Sequence, residues 1–209
     1  MKYLITGGAG FIGSHLSEAL TNRGNSVTVI DNLSTGKNTF NSSVEFIEAS
    51  IFDLPLMDKL ISQSDYVLHL AAAVGVFNIV SKPLESLMTN IKGTEIILEL
   101  CEKYNKPILI TSTSEVYGTA KYVPIDEGHP IVGQSPYSAT KIAADQLAYS
   151  FYSSFDLPVV TVRPFNTYGP RQSARAVIPT IITQIANGNR QIKLGSITPT
   201  RDFSYIEDT

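Results

Sequence analysis

The chain has 209 residues, 43% of them hydrophobic, a net charge of −3 and one cysteine. That suits one domain with a good core and part of a second. It offers no basic patch for nucleic acid and no apolar stretch long enough to span a bilayer. Cys101 stands alone, so neither a disulfide framework nor a thiolate metal site is expected, and no other metal site is read. Its setting in residues 96–101 predicts a buried helix position and a reducing, cytoplasmic location. The chain opens directly on a strand-like segment, which predicts no signal peptide.

Residues 2–6 are short, apolar and β-prone, and from Phe11 to Asn22 apolar residues recur at helical spacing. Between them runs Thr6-Gly7-Gly8-Ala9-Gly10-Phe11-Ile12-Gly13. A glycine turn there lets backbone approach a pyrophosphate, while the helix N-terminus offers free N–H groups and its positive dipole end. Gly8, Gly10 and Gly13 satisfy G-x-G-x-x-G. A second strand over 26–30 ends at Asp31, where an acid would hold a ribose 2′-hydroxyl. A carboxylate repels a 2′-phosphate, and no arginine occurs in residues 32–37, so NAD is expected over NADP. A glycine turn serving only packing is the alternative.

Residues 44–47 predict a third strand. Asp53 can cap a short helix over 54–61, with Pro55 in its first turn. A fourth strand over 66–70 leads into Ala71-Ala72-Ala73-Val74-Gly75. Pro83 opens a long helix to about Tyr104, residues 107–111 form a fifth strand, Pro136 starts a helix to about Phe155, and 159–162 is a sixth strand. This alternation predicts a parallel, doubly wound α/β sheet, whose ligands bind beyond the carboxyl ends of the strands. The informative segments lie there: 7–13, 31–36, 69–75, 111–117 and 163–170. After Arg163 the pattern changes. Pro164, Gly169, Pro170 and Pro179 mark loops, residues 177–186 predict a helix and 191–194 a strand. Asp208-Thr209 suits a helix N-cap with no helix after it, so the second domain is expected to be incomplete. The expected division is 1–165 and 166–209.

Tyr137 and Lys141 are four apart on a predicted helix and share a face. A lysine ammonium beside a phenol favours the phenolate, as would a bound nicotinamide ring, lowering a pKa that starts near ~10. The phenolate can accept a proton from a substrate hydroxyl as its hydride leaves for NAD. The spacing alone fits a solvated helix face as well. It also recurs at Tyr117 and Lys121, in a segment that reads as a loop. Thr111-Ser112-Thr113-Ser114-Glu115 places four hydroxyl residues and a carboxylate at the end of the fifth strand, where a hydroxyl can bond the same substrate oxygen. An ordinary hydroxyl-rich turn is the alternative.

In these segments the chain resembles the extended short-chain dehydrogenase/reductase family of nucleotide-sugar enzymes. The matching segments are 6–13, His69-Leu70-Ala71-Ala72, Asn90-Ile91-Lys92-Gly93-Thr94, 113–118, 137–141, 163–170 and Arg201-Asp202-Phe203. The resemblance implies a Rossmann-like sheet followed by the start of a smaller substrate domain. It implies a Thr113–Tyr137–Lys141 triad, joined at the reacting centre by Ser114 and Glu115. It implies NAD contacts from Gly7, Gly10, Phe11, Ile12, Gly13, Asp31, Asn32, Ser50, Ile51, Leu70, Ala71, Ala72 and Phe165, besides Tyr137 and Lys141. Asn166 and Arg201 would contact the diphosphate or nucleotide of the sugar, and a homodimer is expected.

Two departures bear on chemistry. Ser50 stands where the family often holds the adenine amine with aspartate. Ser114 stands where dTDP-glucose 4,6-dehydratases carry the aspartate of Thr-Asp-Glu. Ser-Glu at that place resembles UDP-glucuronate decarboxylases and bacterial UDP-N-acetylglucosamine 4,6-dehydratases of the legionaminic acid type, and residues 163–179 resemble the second group. Ile142 follows Lys141, where decarboxylases tend to place arginine. The expected activity is therefore 4,6-dehydration of a nucleotide sugar, with a UDP-sugar favoured. A 4-epimerase, a UDP-glucuronate decarboxylase and a truncated, inactive NAD-binding domain are the rivals.

Overall fold

A computed structural model describes residues 1–74 and 87–209. Gly75 and Pro83 lie outside the described residues. Contacts divide the chain into two compact units, Met1–Pro164 and Phe165–Thr209.

The first unit is built on six strands: β1 (Lys2–Thr6), β2 (Ser26–Asp31), β3 (Glu45–Glu48), β4 (Tyr66–His69), β5 (Ile108–Thr111) and β6 (Val159–Val162). All neighbouring strands pair parallel, in the order β3-β2-β1-β4-β5-β6. The strand order reverses between β1 and β4, which makes their carboxyl ends the place where ligands bind in doubly wound sheets. Successive strand residues point to opposite faces, and both faces are covered. Leu4, Ile30, Val67 and Ile110 pack on one side with Met57, Ile97 and Ala148. Ile5, Val29 and Leu68 pack on the other with Leu16 and Leu20. Fully burying one such side chain is worth roughly 1.5–3 kcal/mol.

Helices α1 (Phe11–Asn22), α2 (Leu54–Gln63), α3 (Gly93–Lys103) and α4 (Pro136–Phe155) carry the rest of this core. The Asp53 side chain accepts from the Leu56 N–H at 3.2 Å, so the expected cap is present, with Pro in the first turn. Ser135 caps α4 through a reciprocal pair with Ser138, which fixes where Tyr137 and Lys141 begin to wind. Just before α3 the backbone is π-helical over Met88–Lys92. That one-residue widening inside an expected α-helix is a device often found at functional sites.

The second unit holds β7 (Asn166–Tyr168) and β8 (Phe203–Tyr205), paired parallel, and α5 (Val177–Ala186). The short strands were not legible in the sequence: each has three residues, and they meet only through tertiary pairing. The strand expected at 191–194 is absent. The backbone groups of Lys193 are taken instead by the Gln184 side chain, whose oxygen accepts at 2.8 Å and whose nitrogen donates at 2.9 Å.

Candidate active site

The glycine turn after β1 is shaped by close approach. Gly7 has φ +70°, and a Cβ there would lie 2.5 Å from the Ala71 nitrogen in the loop after β4. A Cβ on Gly13 would lie 2.6 Å from the Gly7 oxygen. Gly8, counted above as the first glycine of the motif, packs against the Val29 side chain, so the turn proper rests on Gly7, Gly10 and Gly13. At Gly10 a Cβ would meet only the Gly7 oxygen, at 3.2 Å. This backbone therefore has room on its outer side. Helix α1 starts at Gly10 with no side-chain cap and no acid in its first turn, leaving the N–H groups of Phe11, Ile12 and Gly13 for an anion.

Asp31 is half-buried at the end of β2. One carboxylate oxygen accepts from the Ala9 N–H at 3.1 Å and the other from the Leu33 N–H at 2.8 Å. The acid is thus tied to the glycine turn, and each oxygen keeps a second lone pair. Neighbouring Asn32 closes a local turn onto the Ser34 N–H. The Ser50 hydroxyl accepts from the Phe52 N–H at 3.2 Å. Ile51 is 7% exposed and its side chain belongs to the sheet core, where its Cδ1 occupies the space that a Cβ on Gly93 would need. Only the Ile51 backbone is left to face a ligand. Leu70, Ala71 and Ala72 run alongside the glycine turn, the first two bonded to Thr6 through its carbonyl and its hydroxyl. These features fit a dinucleotide: glycine backbone and free N–H groups for the pyrophosphate, a carboxylate for the ribose.

Beyond β5 the backbone forms a 3-10 turn over Ser114–Tyr117, with the Thr113 hydroxyl accepting the Glu115 N–H. The Thr113 hydroxyl also faces the Tyr137 phenol and favours its ionised form. Lys141 is buried, and its ammonium donates to the Thr111 carbonyl at 2.8 Å. The fold therefore brings Thr113, Glu115, Tyr137 and Lys141 together at the end of β5. Ser114 shares the same turn, its N–H donating to the Pro164 carbonyl.

The electrostatics depart from the expectation that Lys141 draws the phenol down. Burial pushes Tyr137 up to about 12, the Glu115 carboxylate pushes the same way, and the Thr113 hydroxyl opposes both. Burial also pulls Lys141 down to about 8, with Asp145 pulling back. Asp145 accepts from Arg163 Nε at 2.9 Å, and Arg163 donates onward to the Tyr117 hydroxyl at 3.1 Å. Tyr117 is thereby a buried structural tyrosine. Gly118 follows at φ +65° and Lys121 lies beyond it on non-helical chain, so the duplicate Tyr-x-x-x-Lys aligns nothing.

In the second unit, Asn166 opens β7 and Arg201 lies two residues before β8, its guanidinium donating to the Thr200 carbonyl at 2.7 Å. The Asn166 amide donates to the Asp202 carbonyl at 3.2 Å, and both Asn166 and Arg201 are exposed. Phe165 is half-buried within the same unit.

A doubly wound parallel sheet with a glycine turn at its switch point, and Thr, Tyr and Lys gathered at the end of β5, is the architecture of a short-chain dehydrogenase/reductase of the extended type. Residues 4–209 match the family described as GDP-mannose 4,6 dehydratase, and the chain belongs to it. It is 38% identical to a UDP-N-acetyl-alpha-D-glucosaminuronate decarboxylase of Bacillus cytotoxicus, covering 99% of this chain and 68% of that one. It is 34% identical to a dTDP-glucose 4,6-dehydratase of Streptomyces antibioticus, covering 100% of this chain and 66% of that one. The structure of a UDP-glucuronic acid 4-epimerase from Bacillus cereus, in complex with UDP-glucuronic acid and NAD, matches with TM-score 0.90 and 34% identity, over 100% of this chain and 70% of that one. The chain thus spans about two thirds of the length of these relatives. By name they are nucleotide-sugar enzymes of three reaction types, a decarboxylase, a dehydratase and an epimerase, the last solved with NAD. Among the described residues no helix is long and apolar enough to cross a membrane.

Proposed function

We propose that this chain carries the cofactor site and reacting groups of an NAD-dependent nucleotide-sugar 4,6-dehydratase acting on a UDP-sugar, of which an amino sugar is favoured. Residues 1–165 would bind the cofactor and 166–209 would contribute to substrate binding. Gly7, Gly10, Phe11, Ile12 and Gly13 would face the pyrophosphate, Asp31 the ribose, and Leu70 to Ala72 the nicotinamide side. Asn166 and Arg201 are assigned to the diphosphate, for which an arginine fork is suited.

NAD, when bound, would take up the hydride from C4 of the sugar and return it at C6. The Tyr137 phenolate would remove the C4 hydroxyl proton, with Thr113 bonded to the same oxygen. The C4 ketone acidifies the C5 proton, which Glu115 would take. The C6 hydroxide leaves with a proton as water, and a proton returns to C5. The positive nicotinamide ring would supply the charge that lowers the Tyr137 phenol, since Lys141 is anchored on the Thr111 carbonyl.

The observation that carries elimination over epimerisation is the position of Glu115, close enough to raise the Tyr137 phenol by its charge. Epimerisation at C4 has no use for that carboxylate. The identity to a decarboxylase keeps loss of CO₂ as the second reading. Incubation of the protein and NAD with UDP-N-acetylglucosamine, UDP-glucose, UDP-glucuronate and dTDP-glucose, followed by mass spectrometry, tests it. Loss of water is expected; loss of CO₂ or no change in mass would overturn it. A cytoplasmic homodimer belongs to the same proposal. The burial of Cys101 agrees with a reducing compartment, and light scattering tests the dimer.

A further inference from the structure

A buried polar chain runs from the glycine turn to the helix that carries Tyr137. The Ala71 N–H donates to the Thr6 hydroxyl at 3.3 Å, and Thr6 lies 2.7 Å from His69 Nδ1. His69 Nε2 lies 3.2 Å from the Thr94 hydroxyl, which donates to the Asn90 carbonyl at 2.7 Å. The Thr94 proton is thereby spent, so Nε2 carries the hydrogen, Nδ1 accepts from Thr6, and the imidazole is neutral. Asn90 then branches. Its side-chain oxygen accepts from the Ala73 N–H at 2.8 Å, and its amide donates to the Ala73 carbonyl at 3.2 Å and to the Thr140 hydroxyl at 3.0 Å. Thr140 donates to the Tyr137 carbonyl at 2.7 Å.

Thr6, His69, Asn90, Thr94 and Thr140 are each no more than 6% exposed. Each hydroxyl and imidazole proton in the chain has an acceptor, and the two Asn90 amide protons go to the Ala73 carbonyl and the Thr140 hydroxyl. The π-helical turn over Met88–Lys92 contains Asn90, so the backbone departs from α-helix where both its carbonyl and its side chain are used. A fully satisfied buried network of this kind specifies one geometry.

We propose that His69, Thr94, Asn90 and Thr140 are positioning residues: they lock the loop after β4, on the cofactor side, to the first turn of α4, and so set the position of the Tyr137 phenol. None of them needs to touch substrate. The catalytic half of this inference rests on the dehydratase-type reading; the structural half does not.

Thr94→Val keeps the shape of a residue separated from Tyr137 by Asn90 and Thr140, and Thr94→Ser keeps its hydroxyl. Amide hydrogen exchange by mass spectrometry, without substrate, is expected to speed up in Thr94→Val at residues 72–74 and 138–142, with the central strands unchanged. Thr94→Ser is expected to restore it. On whichever nucleotide sugar the product panel identifies, kcat should fall on the order of tenfold to a hundredfold, with KM and NAD affinity within about twofold. Thr140→Val, which cuts only the Tyr137 end, should do the same if Thr94→Val does not fold. Unchanged exchange at 138–142, acceleration spread evenly over the sheet, or no rescue by serine would overturn the proposal. The exchange result stands whatever product the panel gives. A Tyr137→Phe variant that still turned over would sink the functional reading while leaving that exchange result intact.

Discussion

The ammonium of Lys141 donates to the carbonyl of Thr111 at 2.8 Å, so the lysine one turn beyond Tyr137 is held by the end of β5. Its burial carries a cost that depends on pH. The folded-state value of about 8 lies below the ordinary 10.5. Between those values the unfolded chain binds the proton and the folded one does not, so stability rises as pH goes from about 8 towards 10.5. Below 8 the full cost is present, on the order of 3 kcal/mol. Denaturant melts of the wild type at pH 7.5 and 10 should show that rise relative to Lys141→Met, in which it is absent. Parallel curves for the two proteins would refute the burial assignment.

Tyr137→Phe is expected to abolish turnover while NAD still binds, because the phenol facing Thr113 is the proposed proton acceptor. Lys121→Ala should leave the rate within about twofold, since Lys121 is exposed on non-helical chain and supplies only its backbone N–H to His129. Steady-state rates and calorimetric titration with NAD measure both. Equal losses from the two variants would point to the wrong tyrosine.

Asp31 holds the Ala9 and Leu33 N–H groups as well as facing the proposed ribose. Asp31→Ala should weaken NAD by roughly one to two powers of ten and narrow its advantage over NADP, as loss of a charged hydrogen-bond partner does. Fluorescence titration with each dinucleotide checks this. Wild-type protein that bound both equally would contradict the placement.

Glu115→Gln removes a base and a charge that pushes the Tyr137 phenol up. Release of the 4-keto-6-deoxy product should slow by about 10²–10⁴. The first hydride step should persist, seen as transient NADH absorbance, while exchange of the C5 proton with heavy water slows greatly. Release of that product by the variant at the wild-type rate would show that Glu115 is not the base.

Much of the fold was legible because strand and helix patterns are local. Six apolar runs alternate with helical spacing, and the Asp53 cap and the prolines that open helices, such as Pro136, announce their own positions. The glycine turn, Asp31 and the Tyr137–Lys141 spacing could be read in the same way, since each is a short segment with a fixed backbone requirement. What was not legible depends on partners distant in sequence. Nothing local tells that Ile51 turns into the core against Gly93, that Gln184 takes the backbone of Lys193, or that Asn166–Tyr168 finds Phe203–Tyr205.

His69, Asn90, Thr94 and Thr140 illustrate the division. All four stand in the family-like segments, so the sequence marked the places, and it determined by itself the parallel sheet, the dinucleotide turn and the tyrosine helix. Their joint role exists only once parallel pairing brings the ends of β1 and β4 together and the π-turn rotates Asn90 towards Thr140. The same holds for Lys141. Helical spacing puts it beside Tyr137, but tertiary burial gives its proton-rich ammonium the Thr111 carbonyl as its partner, and burial with the Glu115 charge leaves the phenol high. Spacing along a chain fixes which side chains share a face. Desolvation and the hydrogen bonds that offset it arise only when distant segments close over that face.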